Sequence, residues 1–349
     1  MHSLKVGYWP HSSDLKSAGD RRRVVFWAKK RGHQLITDLT QKVDVIVVSE
    51  SADFRSKILR NTKLPLVFDL VDAYLCPRNR TDDFIRGISK RLDGQISSGF
   101  QYFTNYIEEF CTRSSAVICS SPEQEKMIKK YNSNTHIILD SHEELPFVEI
   151  NNKNRLVKTV LWEGQPATIP GIGKISSVLS SVANENDIEF AFVTDLDYFR
   201  VLNKYFRGKT SKLIQRVSGL KVERFSVTEW STESLILKSN VSNFSIIPID
   251  LTIPLFKFKP ENRLLIMWRL GLACLTSASP AYVRVANKAG VSAICESPSE
   301  WRFKIQQMLG DPELAQIEAL RGQTYVRENH NESLLLRKWD EAIESALSS

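Results

Sequence analysis

The run Lys257-Phe258-Lys259-Pro260-Glu261-Asn262-Arg263 carries the strongest local pattern for chemistry in this chain. An apolar, strand-like segment at 244–248 precedes it. The spacing after it predicts an amphipathic helix over 262–271, and Pro260 suits a first helical turn. A helix start offers backbone N–H groups without intrahelical partners and the positive end of the helix dipole. Lys259 and Arg263 add cationic side chains there, and Asn262 adds amide donors. Such a place could hold a diphosphate. The competing reading is a basic helix start with exposed side chains.

Carboxylates are the next candidates. Residues 64–70 read as a strand running into Asp69-Leu70-Val71-Asp72. A carboxylate there could accept the proton of a hydroxyl group as a general base, and Asp72 is the candidate. It could equally orient a sugar hydroxyl or cap the loop through backbone N–H groups. Asp69 reads either as part of the same site or as a buried, hydrogen-bonded strand residue. Asp195-Leu196-Asp197 follows another strand, and hard cations favour such oxygens. The motif is short and common by chance, and it reads here as a loop. Trp230 could border a nucleotide base or belong to a core. His142 reads as a surface histidine. No two of the six histidines sit at helical ligand spacing, and the five cysteines form no CxxC pair. No metal site is expected, and free thiols in a reducing cytoplasm fit the cysteines.

The elements that must position these residues alternate strand and helix. Strands are predicted at 5–9, 34–37, 43–48, 64–70, 116–119 and 135–139, with a helix over 21–31 closed by Gly32. A helical insertion is expected over 81–113. Alternation of this kind argues for a parallel sheet with helices on both faces. Residues 150–157 turn abruptly polar and read as a linker. The pattern then restarts with strands at 157–162, 188–194, 222–226, 244–248 and 273–277, a glycine- and proline-rich loop over 163–173, and helices to the end. The expected fold class is α/β, with two Rossmann-like doubly wound domains facing each other across a cleft. The expected boundaries are 1–150, 151–325 and a C-terminal helix, 326–349, that crosses back to the first domain.

Bulk properties agree. The 349 residues suit two domains. No apolar run reaches the roughly 18–20 residues of a membrane span, and no secretory signal is expected from the first residues. The net charge of +7 favours phosphate-bearing partners. The runs Arg21-Arg22-Arg23 and Lys29-Lys30-Arg31 read either as solvated helix faces or as attraction to an anionic membrane leaflet.

The order of these motifs resembles the GT-B glycosyltransferases of the retaining family-4, or group 1, type. Residues 244–277 resemble that family's donor domain: strand, phosphate-binding loop, helix ending in Leu270-Gly271, then strand. Ser279-Pro280-Ala281-Tyr282 resembles the loop that follows. Trp162-Glu163-Gly164 resembles the glycine loop opening the donor domain, and Glu229-Trp230-Ser231 the loop near the nucleotide base. In the first half, Ser17-Ala18-Gly19-Asp20-Arg21 resembles the glycine loop facing the donor phosphate. The resemblance implies donor binding by Gly164, Trp230, Lys259, Asn262, Arg263 and Tyr282. It also implies a phosphate or acceptor loop of Gly19, Arg21 and Asp69; Arg22 and Arg23 beside it read as surface residues. The chain departs from the family where two glutamates eight positions apart usually flank the helix start: Phe258 and Ile266 stand there.

The resulting expectation is a metal-independent, retaining glycosyltransferase without a cofactor. It would move a sugar from a nucleoside-diphosphate sugar to a glycan or lipid-linked hydroxyl acceptor, in glycan or cell-surface polysaccharide synthesis. Its expected place is the cytoplasm, with peripheral contact at the inner membrane face left open. The alternative is a GT-B-like module without catalysis that binds a glycan, nucleotide or protein. Nucleic acid is not an expected partner, since no aromatic-interleaved basic motif is present.

Overall fold

The structure is a computed structural model that describes residues 2–54, 56–76, 102–150, 158–200 and 206–349. Residues 81–101 of the expected insertion, and the expected linker beyond Ile150, lie outside those residues. The chain divides into two compact units. The first comprises Met1–His142, Phe258–Pro260 and Asn331–Ser349, and the second Glu143–Lys257 and Glu261–His330.

The first unit is built on six parallel strands: β1 (Lys5–Trp9), β2 (Gln34–Ile36), β3 (Val45–Ser49), β4 (Leu66–Asp69), β5 (Ala116–Cys119) and β6 (Thr135–Ile137). Their spatial order is β2-β1-β3-β4-β5-β6. The inner strands β3, β4 and β5 are buried at every residue, which explains their unbroken apolar sequence. The C-terminal helix, Glu332–Leu347, completes this core. Leu335, Leu336, Trp339, Ala342, Ile343 and Ala346 line one helical stripe and are buried in it. Trp339 stacks on Trp27 at 5.8 Å, and the Trp27 indole N–H donates to Asp340 at 2.8 Å.

The single helix expected over 21–31 is broken. A π-type turn, Asp20–Val24, leads into an α-helix, Val25–Arg31, that ends on Gly32 in the left-handed region. Arg23 leaves helical geometry (φ −125°, ψ −106°) and points inward. Inserted turns of this kind commonly re-aim a side chain. Arg22 and Arg23 are therefore not surface residues; both are buried, as is His142.

The second unit has six parallel strands: β7 (Lys158–Glu163), β8 (Ile188–Thr194), β11 (Phe225–Glu229), β12 (Phe244–Ile247), β13 (Cys274–Ser277) and β14 (Ile294–Cys295). Their order is β11-β8-β7-β12-β13-β14. An antiparallel hairpin, β9 (Asp197–Arg200) and β10 (Phe206–Lys209), stands apart. The strand expected at 222–226 begins later, because residues 222–224 form a 3₁₀ turn. β11 is an edge strand, half-exposed and rich in Ser, Thr and Glu, so hydrophobic patterning marks it poorly. The expected loop over 163–173 is largely a 3₁₀ helix, Pro166–Ile175. Its Ile169, Ile172 and Ile175 recur every three residues and are all buried, as three residues per turn require. Gly171 permits its approach to β12, since a Cβ there would lie 2.4 Å from the Pro248 carbonyl oxygen. No helix among the described residues is long and apolar enough to cross a membrane.

Packing between the helices Asn262–Arg269 and Pro312–Asn329 is equally close. A Cβ on Gly322 would fall 2.4 Å from the buried Trp268 ring. Gly322→Ala is expected to lower unfolding stability by about 1–3 kcal/mol in a urea titration, because the extra volume must displace a large, enclosed side chain.

Candidate functional site

Ligands of doubly wound sheets bind beyond the carboxyl ends of the strands, where the strand order reverses. In the second unit the reversal lies between β7 and β12, the first and fourth strands of that sheet. β7 ends at Glu163, followed by Gly164, and the Asn262–Arg269 helix follows β12. Gly164 has φ +155°, open to glycine and rarely to other residues. A Cβ there would also meet the Arg263 guanidinium at 2.9 Å. The glycine thus serves backbone shape and the seating of Arg263 together.

Arg263 is held from three sides. Its Nη2 donates to the Glu163 carbonyl oxygen, and its Nε lies 3.5 Å from Glu163 Oε2. Its guanidinium sits over the Trp162 ring at 5.1 Å, a cation–π contact. Trp230 fixes the same carboxylate, donating its indole N–H to Glu163 Oε1 at 3.0 Å. Glu163 is the residue that sequence reasoning missed. The only signal for it was an acid between a strand end and a glycine.

Asn262 opens the helix. Its Oδ1 is enclosed and has no hydrogen-bond partner among the described residues. The helix start has no side-chain cap, whereas Ser121, Ser231, Ser279, Ser297, Asp311 and Asn331 each cap their own helices. Its leading N–H groups therefore have no capping side chain to displace. Glu261 beside it is neutralised by Arg284 at 3.1 Å. Tyr282 needs correction as a donor-binding residue. It is 2% exposed, and burial pushes its phenol above the usual range. Its ring is a core group.

In the first unit the order reverses between β1 and β3. The loop after β1 folds around Asp20, which accepts hydrogen bonds from Tyr8, the His11 and Ser12 amides, and the Ser12 and Ser17 hydroxyls at 2.7–3.0 Å. Burial pushes the Asp20 carboxyl up, but these hydrogen bonds outweigh it and hold it below the usual carboxylate range. Gly19 lies against His11, where a Cβ would sit 2.6 Å from the ring. Arg21 donates from Nε to the Lys16 carbonyl at 3.2 Å and stays partly exposed at this edge.

Asp69 needs correction too. It is fully buried and bonded to Arg23 through both oxygens, at 2.6 and 2.8 Å. Arg23 also donates to the Ile138 carbonyl at 2.9 Å and to Asp140 at 3.0 Å. Burial depresses the Arg23 pKa, and the two carboxylates more than reverse that. Both Asp69 oxygens are committed to Arg23 within the fold. Asp72 differs: its side chain is 23% exposed, with Lys259 Nζ 3.5 Å from its Oδ1. Its own N–H donates to Glu50 at 2.9 Å, and Gln124 holds its carbonyl at 3.0 Å.

The two cations expected to hold phosphate are thus both ion-paired, Lys259 with Asp72 and Arg263 with Glu163. An anion binding to either must compete with a carboxylate. The Asp195-Leu196-Asp197 loop is partly committed, since Asp197 pairs with Arg207 at 2.5 Å and Lys209 at 3.0 Å. Burial and the neighbouring Glu229 push the Asp195 carboxyl up. Among the described residues no group of three or more His, Cys, Asp or Glu side chains is placed to hold a metal ion. A small pocket near Gly271 and Ala273 lies at the amino ends of β12 and β13, away from these groups, and no charged side chain lines it.

No family model matches the sequence, and no curated protein matches it. Solved structures match it by fold. TarM superposes with a TM-score of 0.60 at 12% identity, over 85% of this chain and 54% of TarM. The chain therefore spans about half the length of that protein. WaaG, a glycosyltransferase involved in lipopolysaccharide biosynthesis, superposes with a TM-score of 0.57 at 11% identity, over 97% of this chain and 98% of WaaG. A glycosyltransferase from Rickettsia africae does so with a TM-score of 0.58 at 12% identity, over 99% of both chains. A further TarM structure, from S. aureus, contains UDP and α-GlcNAc-glycerol. At these identities the likeness establishes the fold: two parallel six-stranded α/β sheets, as in GT-B glycosyltransferases.

Two outcomes are expected from the ion pairs. Asp69→Asn strands a buried guanidinium and should lower stability by about 3–5 kcal/mol in chemical denaturation. Glu163→Ala and Arg263→Ala should each destabilise by about 2 kcal/mol, with a double variant clearly less unstable than the sum. Additive losses would show that the pair is not coupled.

Proposed function

We propose that the chain is a glycosyltransferase moving a sugar from a nucleoside-diphosphate sugar to a hydroxyl acceptor. The observation that carries this reading is the start of the Asn262–Arg269 helix, with no capping side chain and Arg263 beside it, at the order reversal of a GT-B-type second sheet. Negative charge develops on the leaving diphosphate during transfer. Donors already oriented toward that charge lower the barrier most. The helix N–H groups, Asn262, Arg263 and Lys259 are the donors in this reading. Gly164 gives the phosphates a close approach to backbone, and Trp230 borders the nucleoside.

Asp72 is the general base in this reading, taking the proton from the acceptor hydroxyl. Gly19 and Arg21 belong to the acceptor side. The presence of UDP and a GlcNAc-glycerol in the TarM structure supports a nucleotide sugar and a glycan acceptor for this chain. The role of WaaG supports glycan or cell-surface polysaccharide synthesis. Retention of anomeric configuration and independence of metals complete the proposal on the strength of the sequence resemblance, and a cytoplasmic place beside a membrane on the strength of the free thiols and the basic charge.

A second reading has its own observation. Phe258 and Ile266 replace the family's glutamates, and both phosphate cations are already paired. That combination suits a module that binds a nucleotide or glycan without transferring sugar.

A thermal-shift screen against uridine, guanosine and adenosine diphosphates and their sugars tests the proposal. A ligand at about 100 times its dissociation constant adds about 2.7 kcal/mol to the stability of the folded state. One nucleotide should raise the melting temperature, and Arg263→Ala or Lys259→Ala should weaken that rise. Asp72→Asn should keep the shift while losing transfer to acceptor. Binding without hydrolysis or transfer would favour the second reading. No shift with any nucleotide would remove the first.

A further inference from the structure

Gln124 carries a polar amide where burial makes polarity costly. It stands in the first turn of the helix Pro122–Ile128 and is 1% exposed. The amide meets three backbone groups. Its Nε2 donates to the Leu70 carbonyl at 2.7 Å and to the Asp72 carbonyl at 3.0 Å, and its Oε1 accepts from the Ser120 N–H at 2.8 Å. Both N–H donors of the side chain are thereby used, and the acceptor as well. A glutamate would offer no N–H to the two carbonyls, and a methionine would offer no donor at all.

The other side of Asp72 is held too. Its N–H donates to Glu50 Oε2 at 2.9 Å. Glu50 follows β3, Asp72 follows β4 and Gln124 follows β5, and these three strands are neighbours in the sheet. The Leu70 N–H continues the ladder between β4 and β5 by donating to the Ile118 carbonyl at 2.9 Å. The peptide groups before and after the Asp72 side chain are therefore both tied down. Only the side-chain torsions of Asp72 remain to aim its partly exposed carboxylate.

We infer that Gln124, with Glu50 opposite it, is a positioning residue for sugar transfer, fixing the Asp72 backbone so that the carboxylate meets the acceptor hydroxyl. The inference rests on the reading of Asp72 as general base. In that step the hydroxyl O–H bond breaks and its proton passes to Asp72. The oxygen forms a bond to the anomeric carbon, and the bond from that carbon to the diphosphate breaks, its electron pair leaving with the phosphate. The proton moves when the two oxygens lie about 2.6–3.2 Å apart. A misplacement on the order of 1 Å can cost about 100-fold in rate.

The test is hydrolysis of uridine-, guanosine- and adenosine-diphosphate glucose by the full chain, with water standing in for the acceptor hydroxyl. Gln124→Met should lower kcat by about 100-fold and leave KM for the donor unchanged. Its thermal shift with the matching nucleoside diphosphate should persist, which reports an intact fold and donor site. Glu50→Ala removes the second tie at a partly exposed position, where water can take over the Asp72 N–H. It should lower kcat in the same way, and it decides the question if Gln124→Met fails to fold. In the Asp72→Asn background neither substitution should lower the residual rate further, because the side chain through which both act is gone. Equal losses in both backgrounds overturn the inference, as does a wild-type kcat in Gln124→Met or in Glu50→Ala. A slow Asp72→Asn beside a fast Gln124→Met removes the inference and keeps Asp72 as the base. If Asp72→Asn alone leaves the rate unchanged, or the wild-type chain hydrolyses no donor, the inference falls together with that reading of Asp72.

Discussion

The Arg23 ion cluster is the interaction on which the first unit depends. A guanidinium with no solvent exposure is expensive to bury unless its donors are met. Here Asp69 at the end of β4, the Ile138 carbonyl and Asp140 beyond β6 meet them. Trp339 of the returning C-terminal helix lies 5.8 Å over the same cation. One side chain therefore ties the β1 crossover, two strand ends and the last helix together. The π-type turn at Asp20–Val24 is the local consequence. An uninterrupted helix would carry Arg23 on a fixed 100° step, and the inserted residue turns it toward the carboxylates.

The second unit has a parallel device at lower burial. Glu163 sits between Trp230 and Arg263 and orients both. A lone arginine at a helix start would be a mobile cation in water. Stacked on Trp162 and bonded to the Glu163 carbonyl, it becomes a fixed one. The cost is electrostatic: the carboxylate that positions the cation also offsets its charge. Lys259 stands in the same relation to Asp72. Charge density read from a sequence overstates the field a ligand would meet, because ion pairing is a property of the folded chain.

Much of the architecture was legible in the residues. Continuous apolar runs such as 43–48 and 116–119 announce strands covered on both faces, and they are the inner strands of the first sheet. Ser121-Pro122 announces a helix start, and Ser121 caps that helix. Legibility fails where periodicity is weak or mixed. β11 is a polar edge strand, so its start was misplaced. The segment Pro166–Ile175 repeats every three residues amid glycine and proline, a pattern shared by loops and 3₁₀ helices.

The candidate site divides in the same way. By itself the sequence determined the two parallel sheets, the position of the helix after β12, and the residue types gathered at its start. Those follow from hydrophobic period, caps and turn residues, which act over a few neighbours. Only the tertiary structure decided that Asp69 and Tyr282 are core groups, that Arg23 is buried, and that Glu163 governs Arg263. Those outcomes depend on which side chains meet across tens to hundreds of residues. Burial and pairing then set the role of a charge, and neither is written in the local pattern.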